Sequence, residues 1–134
     1  MRHLLLCLAL TALTSAVGAQ TAFYSGKTIE LIVGYPPGGS NDVYGRAVAR
    51  HIGRFIPGHP QVIFRNMPGA GSILAANHIY NVAPKDGTVL GLLAATNTLD
   101  EKLGANGVKF ETAKFNWIGR VSSAINVTGI WHMS

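Results

Sequence analysis

The chain is predicted to be an α/β domain with a mainly parallel sheet. Two apolar runs, Thr28–Val33 and Thr88–Ala94, are continuous rather than alternating, the pattern of strands covered on both faces. Segments with helical spacing separate the predicted strands. Pro/Gly-rich turns stand where strand should pass to helix, at residues 35–40 and 68–72. Strand, helix, strand, helix, strand is the βαβαβ order of a parallel sheet.

The domain starts after a leader. Arg2 and His3 precede an apolar run, Leu4 to Leu13, too short to cross a bilayer, and small residues follow with Val17 and Ala19 in cleavage spacing. Residues 1–19 read as a secretory signal peptide, leaving residues 20–134. Its removal takes Cys7, the only cysteine, so thiol catalysis and cysteine-based metal sites are excluded and stability must come from packing.

The first strand, Thr28–Val33, runs into Gly34-Tyr35-Pro36-Pro37-Gly38-Gly39. Ser40 or Asn41 is the expected cap of a helix that reaches about Phe55, with Asp42 in its first turn. Val43, Ala47, Val48, Ile52 and Phe55 form its predicted buried stripe, and Arg46, Arg50 and Arg54 its solvated outer face. A turn at 57–60 ends it. Val62–Phe64 opens a second strand, the turn 66–71 follows, and Ser72 is the expected cap of a helix from Ile73 to about Asn81 with Ile73, Ala76, Ile79 and Tyr80 inward. Thr88–Ala94 is the third strand. Thr98–Leu103 is a short helix, 104–114 a loop, and Phe115–Val121 and Ile125–Ile130 two more strands.

Composition narrows the function. Eleven Lys/Arg against six Asp/Glu give a formal charge of +5, which mildly favours anionic ligands. The basic residues are dispersed, and with a leader present no nucleic-acid partner is expected. No Gly-Lys-Ser/Thr follows the first turn, and Leu74 stands where the dinucleotide fingerprint needs a small residue. Ser72 lies in Gly-Ala-Gly-Ser-Ile, not in a hydrolase elbow. The histidines have no metal-ligand spacing, and adjacent Asp100 and Glu101 point apart on a helix. Trp117 and Trp131 read as core or sheet-edge aromatics, and Asn126-Val127-Thr128 as a chance sequon. No catalytic set, metal or cofactor is expected, and a binding role is favoured. The rival classes are an exported hydrolase using Ser40 or Ser72 and a sensor or interaction module without transport.

Both strand-to-helix turns point backbone N–H groups at the space above a strand end. A helix start carries about +0.5 of a charge and is a ready anion site. Two such corners in one sheet suggest a socket for a small negatively charged molecule. Tyr35 is placed to lie against its carbon skeleton. Asp42, itself anionic, is expected to brace the loop or cap the helix end. Glycine is expected at Gly38 and Gly39 for close approach or positive φ.

Gly-Tyr-Pro-Pro-Gly-Gly-Ser-Asn-Asp (34–42), Asn-Met-Pro-Gly-Ala-Gly-Ser (66–72), Asn-x-x-Tyr-Asn-x-Ala-Pro-Lys-Asp-Gly (77–87) and Phe-x-Trp-Ile-Gly (115–119) resemble the Bug family, the extracytoplasmic solute receptors of bacterial tripartite tricarboxylate transporters. The resemblance implies a type II periplasmic-binding-protein fold, in which two lobes close over a small carboxylate held mostly by main-chain N–H groups and bridging waters. It implies a periplasmic, monomeric receptor that delivers its ligand to integral membrane transporter subunits. Carried onto this chain, the ligand loops are Tyr35, Pro36, Pro37, Gly38, Gly39, Ser40, Asn41 and Asp42, then Gly69, Ala70, Gly71 and Ser72, with the turn Ala95-Thr96-Asn97 completing the wall and Thr96 in contact. Family members are longer and carry a second lobe. Residues 20–134 are therefore expected to be the N-terminal ligand-binding lobe, incomplete: a fragment, a truncated gene product or a degenerate copy.

Overall fold

A computed structural model describes residues 23–122. The expected signal peptide, the strand at Ile125–Ile130, Trp131 and the sequon lie outside the described residues. The elements are β1 (Thr28–Val33), α1 (Ser40–Ile52), β2 (Gln61–Asn66), α2 (Ile73–Asn81), β3 (Val89–Leu92) and α3 (Asn97–Lys102), with short 3-10 turns at Gly53–Phe55, Ala70–Ser72 and Thr112–Lys114. The three strands form one parallel sheet in the order β2-β1-β3. The βαβαβ expectation holds.

Central β1 is apolar throughout its buried part because both of its faces are covered. Ile29, Leu31, Ile32 and Val33 are each exposed by 4% or less. Gly45 brings α1 close to one face: a Cβ there would lie 2.8 Å from both Phe64 and Val33. On β3 the neighbouring Gly91 meets Ile79 of α2 instead, with a Cβ-to-side-chain distance of only 2.6 Å. Side chains alternate along a strand, so the two helices cover opposite faces. Beyond the sheet, Ile73, Ala76 and Phe110 form a second cluster, flanked by Tyr80, Leu93, Val108 and Phe115.

Several expectations are corrected. The buried stripe of α1 is rotated from the expected one. Asp42 and Gly45 face the sheet, while Val43 is 59% and Phe55 76% exposed and Ala47 is exposed too. Val48 and Ile52 remain half-buried. The smallest residue of the helix sets its depth, because only Gly45 allows so close an approach. Arg46 is not simply solvated: its guanidinium lies 4.4 Å from the centre of the Phe64 ring. The helix proper stops at Ile52 and tightens into its 3-10 turn.

β2 is longer than expected and β3 shorter. Phe115–Val121 does not form a strand. Phe115 instead stacks edge-on against Tyr80 and Trp117, with centroids 5.9 and 5.8 Å apart. Trp117 is 60% exposed, and its indole N–H donates to the Thr112 carbonyl at 3.0 Å. That segment is anchored by Glu101, whose carboxylate accepts from the Thr112 amide at 2.9 Å and from the Thr112 hydroxyl.

Candidate functional site

The three strands end level. Val33 is in register with Asn66 on one side and Leu92 on the other, so the segments 34–39, 67–72 and 93–96 all leave the same edge. The strand order reverses at β1: α1 leads to β2 on one side, and α2 carries the chain across to β3 on the other. Such a switch point is where connections diverge and a crevice opens at the carboxyl ends of a parallel sheet.

The first corner is built by an internal polar knot. Asp42 is buried, with 4% exposure, and its Oδ2 accepts from the Gly38 amide and from Arg46 Nε, both at 3.0 Å. Its Oδ1 accepts from Asn66 Nδ2 at 2.9 Å. The same Asn66 nitrogen donates to the Tyr35 carbonyl at 3.0 Å, and Asn66 Oδ1 accepts from Arg46 Nη2 at 3.3 Å. Hydrogen bonds from Arg46, the Gly38 amide and Asn66 outweigh burial and pull the Asp42 carboxyl down to about 2. Asp42 therefore braces the loop from inside, and its charge is matched by Arg46.

Gly38 adopts φ +88, a left-handed conformation that suits glycine. Gly39, expected to share that need, is extended at φ −82 and is itself the cap position of α1. Neither Ser40 nor Asn41 serves as the cap, because the helix begins one residue earlier. No side chain caps it, and the first helical bond runs from the Val43 amide to the Gly39 carbonyl at 3.1 Å. The amides of exposed Ser40 and half-buried Asn41 precede that bond and are left open at the positive end of a 13-residue helix. Pro37 is exposed and Tyr35 half-buried beside them.

The second corner is different. Ala70, Gly71 and Ser72 are all left-handed, at φ 45, 61 and 78. This turn folds the helix start back on itself: the Ile73 amide donates to the Ala70 carbonyl and the Leu74 amide to Gly69, the latter at 3.4 Å. Gly69, Ala70 and Gly71 are exposed backbone. Ser72 does not cap α2. It is 1% exposed, and its hydroxyl accepts from the Ala94 amide at 3.2 Å. A Cβ on Gly34 would fall 2.0 Å from that hydroxyl, so Ser72 is wedged between the ends of β1 and β3. Buried against backbone, it is not presented as a nucleophile. On the third segment Thr96 is exposed, and its carbonyl accepts from the Asp100 amide at 2.8 Å.

Arg46 and Asn66 hold the first corner together, and sequence reasoning missed both. The i, i+4 spacing of Asp42 and Arg46 was a usable signal for one of them. Asn66 gave none, because it reaches Asp42 only through the pairing of β2 with β1. Among the described residues no group of three or more His, Cys, Asp or Glu could hold a metal ion. His51 and His78 lie instead against Arg54 and Arg65, at 2.7 and 3.3 Å. None of the predicted site residues lines the two shallow hollows, one formed by Arg46, Ala49, Arg50, Val62 and Phe64, the other flanking α2. No described helix is long and apolar enough to cross a membrane.

No family model matches the chain. It is similar to the UPF0065 protein in the gbd 5′ region of Cupriavidus necator, with 35% identity over 100 residues, which are 69% of this chain and 30% of that protein. It is also similar to Protein BugT of Bordetella pertussis, with 36% identity over 70 residues, 52% of this chain and 20% of that one. The chain thus spans less than a third of the length of these curated relatives.

Proposed function

The chain belongs to the Bug family over the stretch it shares with these relatives, and from that membership we propose that it forms the ligand-gripping edge of a periplasmic receptor for a small carboxylate. One carboxylate group of the ligand sits at the start of α1 and accepts from the Ser40 and Asn41 amides. Each charge-assisted bond contributes about 1.5–3 kcal/mol net. Tyr35 and Pro37 flank the carbon skeleton, Gly69–Gly71 and Thr96 form the facing rim, and Ser72 holds the two strand ends together beneath it. Residues 1–19 direct export. A second lobe closes over the edge, and the loaded receptor hands its ligand to a tripartite tricarboxylate-type membrane transporter.

The observation that carries this reading is the pair of open amides beside an Asp42 already ion-paired to Arg46 and hydrogen-bonded by Asn66. An unpaired carboxylate there would repel an acid; a tied one leaves the helix dipole to attract it. Gly39→Val tests it. A Cβ at Gly39 has open space, its nearest neighbour being the Pro36 carbonyl oxygen at 4.0 Å, so the fold is kept while an isopropyl group screens the amides. Titration calorimetry with succinate, glutamate and nicotinate should show binding to the parent chain and none to the variant. Equal affinity in both removes the corner as the grip.

A further inference from the structure

The sheet has an open side at β2, which pairs with β1 and with no other strand among the described residues. Directly after β2 the Met67 amide donates to the Val33 carbonyl at 2.8 Å, so the main chain of Met67 faces β1. Main-chain groups alternate along a strand, so Arg65 and Ile63 face β1 too, while Val62 and Phe64 turn their N–H and C=O groups outward. Such an edge is a template for one more strand. The side chains of Val62 and Phe64 floor a hollow walled by Arg46, Ala49 and Arg50 of α1. Arg50 is exposed and makes no hydrogen bond or ion pair among the described residues. Arg46 spends Nε on Asp42 and one Nη2 hydrogen on Asn66, which leaves its Nη1 donors. On the opposite face Ile63 is 45% exposed, and Arg65 is paired with Glu30.

We infer that this edge docks an extended acidic segment of another protein, which adds beside β2 as a fourth strand with carboxylates on alternate residues. It does not rest on the receptor reading. Arg46 and Arg50 are four helical residues apart, a rise of about 6 Å. Alternate residues of a strand stand about 6.6–6.8 Å apart. Residues of the added strand beside Val62 and Phe64 share their face, so two carboxylates at that spacing meet the two guanidiniums. The residue between them lies beside exposed Ile63 and is therefore apolar. The outward main-chain groups supply affinity, and the side chains on the two faces supply the choice. Charge selects the occupant. All six Asp and Glu of the sequence fall within residues 23–122, so neither residues 1–22 nor residues 123–134 bring an acid to Arg50. A second copy added through the same edge would bring two arginine rows together.

Amide exchange measured by nuclear magnetic resonance on the full chain tests the inference, with the end-blocked peptides Glu-Val-Glu-Val-Glu, Lys-Val-Lys-Val-Lys and Glu-Glu-Glu-Val-Val as probes. In the free chain the Val62 and Phe64 amides should exchange readily, and Glu-Val-Glu-Val-Glu should slow both at least about tenfold. Arg50→Glu should weaken that peptide about tenfold, since it removes one ion pair and adds a repulsion. Val62→Pro takes away an outward N–H and leaves the ladder to β1 intact, so it should abolish the slowing at Phe64. No binding of Glu-Val-Glu-Val-Glu, equal binding of the permuted or the lysine peptide, or unchanged affinity in Arg50→Glu overturns the inference. So does slow exchange of both amides in the free chain. Slowing that grows with protein concentration would give the edge to a second copy, and slowing independent of concentration would give it to residues 1–22 or 123–134.

Discussion

Gly34→Ala should pry open the switch point. The added Cβ would lie 2.0 Å from the Ser72 hydroxyl, 2.7 Å from its Cβ and 3.2 Å from its Cα. Backbone on both sides leaves little room to yield, and overpacking of this kind costs about 1–3 kcal/mol. Displacing Ser72 also strips the Ala94 amide of its acceptor, which leaves a buried donor unpaired at a further cost of about 1–3 kcal/mol. Together the loss is about 3 kcal/mol, and with a urea slope of about 1.5 kcal/mol/M the midpoint falls by about 2 M. Ser72→Gly loses the same hydrogen bond but relieves the left-handed φ of +78, so its net cost is about 1 kcal/mol. The double variant removes the atoms that clash and should be no less stable than Ser72→Gly alone. Urea unfolding of the four chains measures the cycle. An unchanged midpoint in Gly34→Ala, or additive losses in the double variant, would refute the wedge.

The carboxylates fix the acid limit. Asp42 falls from its ordinary 3.8 to about 2 in the folded chain, and Glu101 and Glu111 are also lowered, by Thr112 and by Lys114 with Tyr80. A lowered folded value adds stability above the unfolded value and loses it as pH falls through the folded one, so circular dichroism should show unfolding between pH about 4 and about 2. A melting temperature flat across that range contradicts the knot. Asn66→Leu removes the bonds to Tyr35, Asp42 and Arg46 and should cost about 1–3 kcal/mol while the Gly38 amide exchanges faster with solvent. Unaltered exchange at Gly38 would show that Asn66 does not hold the loop.

The elements with strong local signals were legible in the sequence. Thr28–Val33 has the predicted bounds because a central strand covered on both faces favours a run that is apolar but for Thr28 and Glu30, and Ile73–Asn81 follows its helical spacing. The orientation of α1 was not legible. A glycine and an aspartate take the inner face because one permits close approach and the other finds two local donors, the Gly38 amide and Arg46, and a third across the sheet, Asn66. Phe115–Val121 looked like a strand for its apolar and aromatic content, yet Phe115 and Trp117 serve an aromatic cluster with Tyr80 and Phe110, and Ile118 is exposed. The first corner could be placed on sequence because Pro-Pro-Gly-Gly punctuates so firmly. The difference between the two corners could not, since it depends on which amides the turn of Ala70–Ser72 consumes.

The knot of Asp42, Arg46 and Asn66 has a consequence for how such a protein diversifies. Its bonds close within a single corner, and the donors it leaves open belong to the main chain, which every amino acid carries. On the proposed receptor reading, point changes elsewhere along the sheet edge retune what is recognised while the anchor persists.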